Sequence, residues 1–216
     1  MNIVDFGTPF GLAFASGLNA YLPMLAYALS VRWLHLYTLS SRFGFITQTW
    51  FIALLAFLTL LDFVADKIPL IDHFWNAVHT FVRPVAGAVV AIVASSHALS
   101  VLSVPAFVSS FSGPEMASIV FSPISVAGFG LLVIFVIGAV LAALSHTTKS
   151  STRFASTILT AGFLNTGLSV VEDVLVFIII LLALFAATVM FFLLVLLVLF
   201  LVPRYLRMRD TWIGRR

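Results

Sequence analysis

The chain has 216 residues, of which 62% are hydrophobic and only 9% are charged, and its mean hydropathy is +1.19. A water-soluble domain of this size has no use for so much apolar surface, so the composition indicates an integral membrane protein. The net charge of +3 does not indicate nucleic-acid binding, and the absence of cysteine excludes disulfides, thiolate metal sites and a cysteine nucleophile.

The apolar segments predict the membrane-spanning helices, each of which needs roughly 20 apolar residues. Five segments meet or approach this length, at 8–29, 46–63, 84–104, 121–144 and 170–202. A sixth candidate at 154–169 is shorter and less apolar, so it either crosses in a protein-lined interior or dips in and returns. We therefore expect an all-α, polytopic membrane protein with about six transmembrane helices, or five plus a re-entrant segment.

The basic residues favour six crossings with both ends in the cytoplasm. The inner side then carries most of them, namely Lys67, Arg83, Lys149, Arg153 and the five arginines after residue 203. The outer side carries only Arg32 and Arg42, as the positive-inside rule requires. The sequence thus predicts one transmembrane domain at 1–203 and a basic cytoplasmic tail at 204–216, in the inner membrane of a bacterium.

The first apolar segment contains "FASGLNAYLP", in which small residues and an amide interrupt the apolar run. Gly11, Ala15 and Gly17 allow close contact between helices. Asn19 is a polar group at mid-span, and it either makes one interhelical hydrogen bond or binds a substrate.

The run 60–84, "LLDFVADKIPLIDHFWNAVHTFVRP", concentrates charges between two apolar segments. Asp62 and Asp66 are four residues apart, so both project from the same helix face. Pro69 then interrupts the helix. Beyond it, polar residues at offsets of four, seven and eleven predict an amphipathic helix at 70–83, which either lies on the membrane surface or packs against the bundle. They are Asp72, Asn76, His79 and Arg83.

A second charged cluster lies between the fourth and the last apolar segments. His146, Lys149 and Arg153 share a helix face at offsets of three and seven, and Asn165 follows them. Glu172 and Asp173 then open the last apolar helix. One acid would satisfy the preference for negative charge at a helix N-terminus, so two adjacent acids indicate a partner.

We predict that the two clusters meet in space, because an isolated charge in a span costs about 2.5–3.5 kcal/mol. Acids of one cluster should lie near bases of the other. The expected pairs are Arg83 or Lys67 with Glu172 or Asp173, and Arg153 or Lys149 with Asp62 or Asp66.

Three stretches, "LLDFVADKIPLIDHFWNAVHTFVRPVAGA", "GLNAYLP" and "NTGLSVVED", together resemble an uncharacterised family of small bacterial membrane proteins, a domain of unknown function. The pattern is an acid, D-K-x-P, D, H-T-x-x-R-P, a glycine and S-x-x-E-D. The matching residues are Asp62, Asp66, Lys67, Pro69, Asp72, His79, Thr80, Arg83, Pro84, Gly87, Ser169, Glu172 and Asp173. The resemblance covers most of 11–182 and implies no activity.

The clustered charges favour a transporter or channel for a small ion or polar solute, with proton coupling as one option. Its candidate residues for substrate or ion binding, or for a proton relay, are Asp62, Asp66, Lys67, Asp72, His79, Arg83, Lys149, Arg153, Glu172, Asp173, Asn19 and Asn165. No catalytic residue or cofactor is expected. The expected partners are the lipid bilayer and the small ion or solute, and not nucleic acid; homo-oligomerisation is left open.

Two alternatives remain. The D-x-x-x-D spacing of Asp62 and Asp66 can hold a divalent cation for lipid-phosphate transfer, although the further motifs of such enzymes are absent. The charges can also form buried ion pairs that fix the helix packing of a structural or accessory protein. A water-reachable cavity lined by the charges would favour transport, and closure of the cluster by mutual salt bridges would favour the structural role.

Overall fold

The computed structural model describes residues 6–67, 69–101, 123–160 and 163–213. Within these ranges, the side chains at 69–74, 76, 96–101, 123–128, 166, 202 and 205–213 are not described, and they include those of Asp72 and Asn76. The described chain is helical, which confirms the predicted all-α class. Its elements are α1 (Gly7–Ser16), α2 (Leu22–Arg32), a 3-10 helix (Ser41–Thr47), α3 (Thr49–Ala65), α4 (Pro69–Val101), α5 (Pro123–Thr160), α6 (Asn165–Phe185) and α7 (Ala187–Ile213).

Three described helical stretches are long and apolar enough to cross a membrane: Ala77–Ser95, Phe129–Thr160 and Gly167–Phe185. A fourth arises if the 3-10 helix and α3, which meet at a bend of 59°, form one span. The predicted count of six is therefore not confirmed. The sixth candidate, 154–169, is not a separate helix, because its described residues are divided between the end of α5 and the start of α6.

The predicted amphipathic helix at 70–83 is the first half of α4, which continues as a membrane span through Pro84. A proline inside a helix is tolerated in membrane proteins, where neighbouring helices supply partners for the freed backbone groups. His79 and Arg83 of the polar stripe are 1% and 0% exposed. This part of the stripe therefore packs into the bundle and does not lie on the membrane surface.

The first apolar segment, expected to be one span at 8–29, is broken into α1 and α2, which have 10 and 11 residues. At 1.5 Å per residue each is about 15 Å long, roughly half the thickness of the hydrocarbon core. Helix α1 lies at the centre of the bundle and contacts α4, α5, α6 and α7. Leu12, Ala13 and Ala15 of α1 are completely buried.

Small residues bring α4 and α5 together in the most extensive helix contact of the described chain. A Cβ atom added to Gly87 would lie 2.4 Å from the Cβ atom of Ala142 and 2.9 Å from the carbonyl oxygen of Gly138, so no side chain fits there. Arg83 lies four residues before Gly87, and His146 lies four residues after Ala142. The close contact therefore sets these two polar side chains beside each other, one helical turn along.

The last apolar segment, predicted to run as one helix over 170–202, is also broken, at Ala186. The hydroxyl of Thr8 donates to the carbonyl oxygen of Ala183 at 2.7 Å, and the hydroxyl of Tyr37 donates to that of Leu184 at 2.6 Å. Two neutral side chains thus partner the carbonyl groups that the break leaves without intrahelical bonds.

Large apolar side chains cover the outside of the bundle. Phe81, Leu159 and Phe163 are 79%, 81% and 88% exposed, and many aliphatic residues of α3, α5, α6 and α7 are similarly exposed. Lipid is the environment in which such a surface is stable, so the structure supports a membrane protein in contact with the bilayer.

Candidate functional site

Six ionisable side chains from four helical regions meet inside the bundle, and we call them the charged cluster. They are Asp62 of α3, Asp66 directly after it, Arg83 of α4, Lys149 and Arg153 of α5, and Glu172 of α6. None of these residues is more than 9% exposed. The three acids and three bases have equal and opposite formal charge.

Asp66 lies at the centre of the charged cluster. Lys149 donates a hydrogen bond to its Oδ2 atom, and Arg153 Nη2 lies 3.6 Å from that atom. Arg83 Nη2 lies 3.8 Å from the Oδ1 atom. Burial by itself raises the pKa of an aspartate, but the three cations outweigh this effect and hold the pKa of Asp66 below its ordinary 3.8. Asp66 is therefore an ionised carboxylate at neutral pH.

Glu172 ties α6 to the same two bases of α5. Arg153 donates to its Oε2 atom from Nη2 at 2.7 Å and from Nε at 3.2 Å. Lys149 Nζ lies 3.4 Å from the same oxygen. Lys149 and Arg153 are consequently shared between two carboxylates, Asp66 and Glu172.

Asp62 is completely buried and joins α3 to α4 and to the first helix break. The indole Nε1 of Trp75 donates to its Oδ1 atom at 2.7 Å, and the backbone N–H of Ala20 donates to Oδ2 at 3.3 Å. Arg83 Nη2 is 3.5 Å and His79 Nε2 is 3.7 Å from Oδ1. This carboxylate is thus surrounded by hydrogen-bond donors.

The charged cluster adjoins the break between α1 and α2. Lys149 Nζ donates to the carbonyl oxygen of Leu18 at 3.2 Å, so a base and an acid, Asp62, each partner a backbone group of the break. The side-chain oxygen of Asn19 accepts from the N–H groups of Tyr21 and Leu22 at 3.1 and 2.8 Å and holds the start of α2. Asn19 therefore shapes the break.

Two histidines lie against the charged cluster. His79 packs its ring 4.6 Å from that of Trp75 and contacts the carbonyl oxygen of the same residue through Nδ1, at 2.9 Å. His146 Nδ1 lies 3.0 Å from Arg83 Nη1. Because a guanidinium only donates, Nδ1 of His146 is the acceptor. His146 was not among the predicted site residues, although its shared face with Lys149 and Arg153 signalled it.

The prediction that the two clusters meet is confirmed. Lys149 and Arg153 both contact Asp66, and Lys67 pairs with Asp173 at 2.7 Å. The Lys67–Asp173 pair is more open than the charged cluster, with side chains 39% and 23% exposed. All six residues of the charged cluster were predicted site residues, three from each of the two sequence clusters, and their ion pairs link them in the structure.

Besides Lys67, Asp173 and His79, two described residues of the predicted site lie outside the charged cluster, and the side chain of a third predicted residue is not described. Asn165 donates to Thr157 Oγ1 at 3.0 Å, Asn19 binds the backbone of the break, and the side chain of Asp72 lies outside the described residues. Conversely, Trp75 and the backbone of Leu18 and Ala20 contribute contacts that no sequence pattern indicated, because the packing of the helices creates them.

An apolar groove of about 460 Å³ lies between α2, α3 and α4 beside the charged cluster. Its lining includes Met24, Leu55 and Val89 and none of the six clustered charges. Tyr21 connects the two regions, since it lines the groove and meets the ring of His79 edge-to-face at 5.9 Å. In this conformation ion pairs close the charged cluster, whereas the groove beside it is apolar.

The arrangement gives no support to a divalent cation at Asp62 and Asp66. Both carboxylates face bases and N–H donors, which compete with a metal for the same oxygens. Among the residues that the structure describes, no group of three or more histidines and acids is placed to hold a metal.

Comparisons with known proteins identify a family. No curated protein and no solved structure matches the chain. A family model described as "Domain of unknown function (DUF4126)" matches residues 7–207, further toward the C-terminus than the resemblance that ended near residue 182. The chain therefore belongs to this family of unknown function.

Proposed function

We propose that the protein is a membrane transporter or channel for a small ion or polar solute, and that the charged cluster is its binding site. The observation that carries this proposal is the position of the charged cluster, in which one base, Lys149, and one acid, Asp62, contact the backbone of the broken helix α1–α2. Transporters commonly build their sites where a discontinuous helix offers free backbone groups beside polar side chains.

The cost of the charged cluster supports a functional role. Burying six charges carries a desolvation penalty, and well-packed apolar residues often replace buried ion pairs without loss of stability. Packing alone therefore does not require these residues.

In the conformation described here the ion pairs close the charged cluster, so a cargo has to displace at least one of them. This closure also favours a second candidate, a structural or accessory protein in which the ion pairs fix the helix register. No observation favours the lipid-phosphate enzyme.

Flux measurements on purified protein in liposomes separate the two candidates. Asp66→Asn and Glu172→Gln keep side-chain size while removing charge, and we expect both variants to insert and purify but to lose ion flux or its pH dependence. Thr8→Val, at the other helix break, is the matched control and should keep wild-type flux. Failure of both charge variants to fold would support the structural role, and normal flux in both would place the site elsewhere.

We further propose that the protein is a multi-pass protein of the bacterial cytoplasmic membrane with its C-terminus in the cytoplasm, because five arginines follow residue 203. A reporter fused to the C-terminus should be active only in the cytoplasm; activity on the outer side would overturn the topology. The protein mass of the purified complex, with the bound detergent subtracted, tests whether the protein is a homo-oligomer.

A further inference from the structure

We infer that the cargo of the charged cluster is a small planar oxyanion, a carboxylate or an anion of similar shape. In this proposal Arg83, Lys149 and Arg153 bind the anion in place of the Asp66 carboxylate, which then carries a proton. The inference rests on the proposed function and names its substrate class.

The contacts of Asp66 are those of a bound anion. Three buried bases from two helices each place a nitrogen within 4.0 Å of this one carboxylate. Guanidinium groups match the planar, two-oxygen geometry of carboxylates and related anions. Asp66 therefore occupies an anion site as a tethered occupant, and a free anion of the same shape fits the same donors.

The charge balance of the cluster favours an anion that enters together with a proton over a cation. The charged cluster is neutral as it stands, and a net charge in a low-dielectric interior is expensive. A cation would add a positive charge among three bases. An anion that enters together with one proton on Asp66 leaves the sum at zero, with all three bases still facing a negative group.

Several buried hydrogen-bond donors without a partner belong to the charged cluster or to residues near its members in the sequence. Within the described structure, Arg83 Nε has no hydrogen-bond partner although the residue is completely buried. The hydroxyl groups of Ser156 and Ser169 are also buried without a partner. Ser156 lies three residues after Arg153, and Ser169 lies three residues before Glu172, so each shares a helix face with a member of the charged cluster. These donors are available to the oxygens of an incoming anion.

Proton and anion binding are coupled through the surroundings of Asp66. The titratable and charged groups that face it come from α3, α4, α5 and α6; they are Asp62, His79, Arg83, His146, Lys149, Arg153, Glu172 and Asp173. The three bases keep the pKa of Asp66 low while they contact it. When an anion takes over these contacts, the pKa of the displaced carboxyl group rises, so each ligand promotes binding of the other.

Chemical rescue tests the anion site without requiring transport. Asp66→Ala leaves a carboxylate-sized space facing three bases, so sodium formate should raise the Tm of this variant in detergent. At a formate concentration about 100-fold above Kd, we expect a rise of about 5–10 °C. Wild type and Thr8→Ala should respond much less, and sodium gluconate at equal ionic strength should not rescue, because its anion is too large for the space.

If Asp66→Ala does not fold alone, it is expressed and purified with sodium formate or sodium gluconate present, and only formate should restore its yield. An equal response to formate and gluconate would overturn the anion site.

A flux measurement tests the substrate class separately. Nitrate is planar like a carboxylate and, as the anion of a strong acid, does not cross lipid as a neutral acid. In liposomes with a pH-sensitive dye inside, an inward nitrate gradient should drive proton uptake through the wild-type protein, and Asp66→Asn should abolish the proton uptake.

The two experiments fail in different ways. Flux of Na⁺ or K⁺ without nitrate would overturn the oxyanion inference and leave the proposed transport function intact. Formate rescue without flux of any ion would support the anion site and contradict transport.

Discussion

Two apolar segments in the described part of the chain are each broken into two helices, and different kinds of side chain bind the backbone groups at the two breaks. At the break between α1 and α2, Lys149 binds the carbonyl oxygen of Leu18 and Asp62 binds the N–H group of Ala20. At the break between α6 and α7, the hydroxyls of Thr8 and Tyr37 bind two carbonyl oxygens. The first break directly follows the central helix α1, and the second lies between α6 and α7, which both contact α1.

The second break shows what a broken helix needs in this protein. Backbone groups inside a membrane must find partners, and two neutral hydroxyls are sufficient at Ala183 and Leu184. At the first break, buried charged side chains bind the backbone groups instead, and burying these charges has a larger desolvation cost. The excess of charge at the first break is the reason why we propose a function for the first break and none for the second.

The largest expected effect comes from removing one acid at the first break. Asp62→Leu leaves Arg83 without one of its acids and removes the acceptor of the Trp75 indole, so we expect a loss of about 3–5 kcal/mol in the free energy of unfolding. Unfolding in detergent measures it. The double variant Asp62→Leu/Arg83→Leu should recover part of the loss. A single-variant loss no larger than that of Thr8→Val would remove the contrast between the breaks.

A pH titration sharpens the role of Asp66. Because its pKa is lower in the folded protein than the ordinary 3.8, its ionisation stabilises the fold at higher pH, and this contribution is lost as the pH falls through the folded value. The difference in stability between wild type and Asp66→Asn should therefore shrink below about pH 4. Unfolding of both proteins from pH 7 to pH 3 measures it. A difference that grows in acid would mean that the folded pKa is raised.

A smaller effect is expected at the second break. Thr8→Val removes the donor to the Ala183 carbonyl while nearly conserving side-chain volume, which should cost about 1 kcal/mol in unfolding free energy. Thermal unfolding in detergent checks this value, and Tyr37→Phe should behave alike. If Thr8→Val costs as much as Asp62→Leu, hydroxyls and charges are equivalent at the two breaks.

The smallest effect is expected at the more open ion pair. Lys67→Met breaks the pair with Asp173, and exposed pairs of this kind contribute about 0–1 kcal/mol. Salt should weaken the wild-type contribution further, because exposed charges are screened. Unfolding in low and high salt checks both statements. A large, salt-independent loss would show that Lys67 belongs to the buried site.

The composition of the site was largely predictable because charge in a membrane restricts where a side chain can go. The first sequence cluster contains Asp62, Asp66 and Arg83, and the second contains Lys149, Arg153 and Glu172. Each group contains charges that need partners, so the free-energy cost of an unpaired charge in a membrane predicted that the two groups would meet. The central position of Asp66 did not follow, since it depends on which bases the packed helices bring within reach.

The positions of the helix ends were less predictable. Helix α4 continues through Pro84, whereas the last apolar run breaks at Ala186, which has neither glycine nor proline beside it. At the break near Ala186, Thr8 and Tyr37 provide hydrogen-bond partners from far away in the sequence, which no local pattern predicts.

The sequence by itself determined that this protein is helical and embedded in a membrane, because apolar surface is stable only in lipid and backbone groups there must bond within helices. It also determined that its buried charges are paired, because unpaired ones are too costly. Only the tertiary structure decided where the spans break, which acid lies at the centre of the charged cluster, and that Lys149 reaches the carbonyl oxygen of Leu18. These features depend on contacts between residues far apart in the chain, such as the close approach of Gly87 to Ala142, whose distances no local pattern encodes.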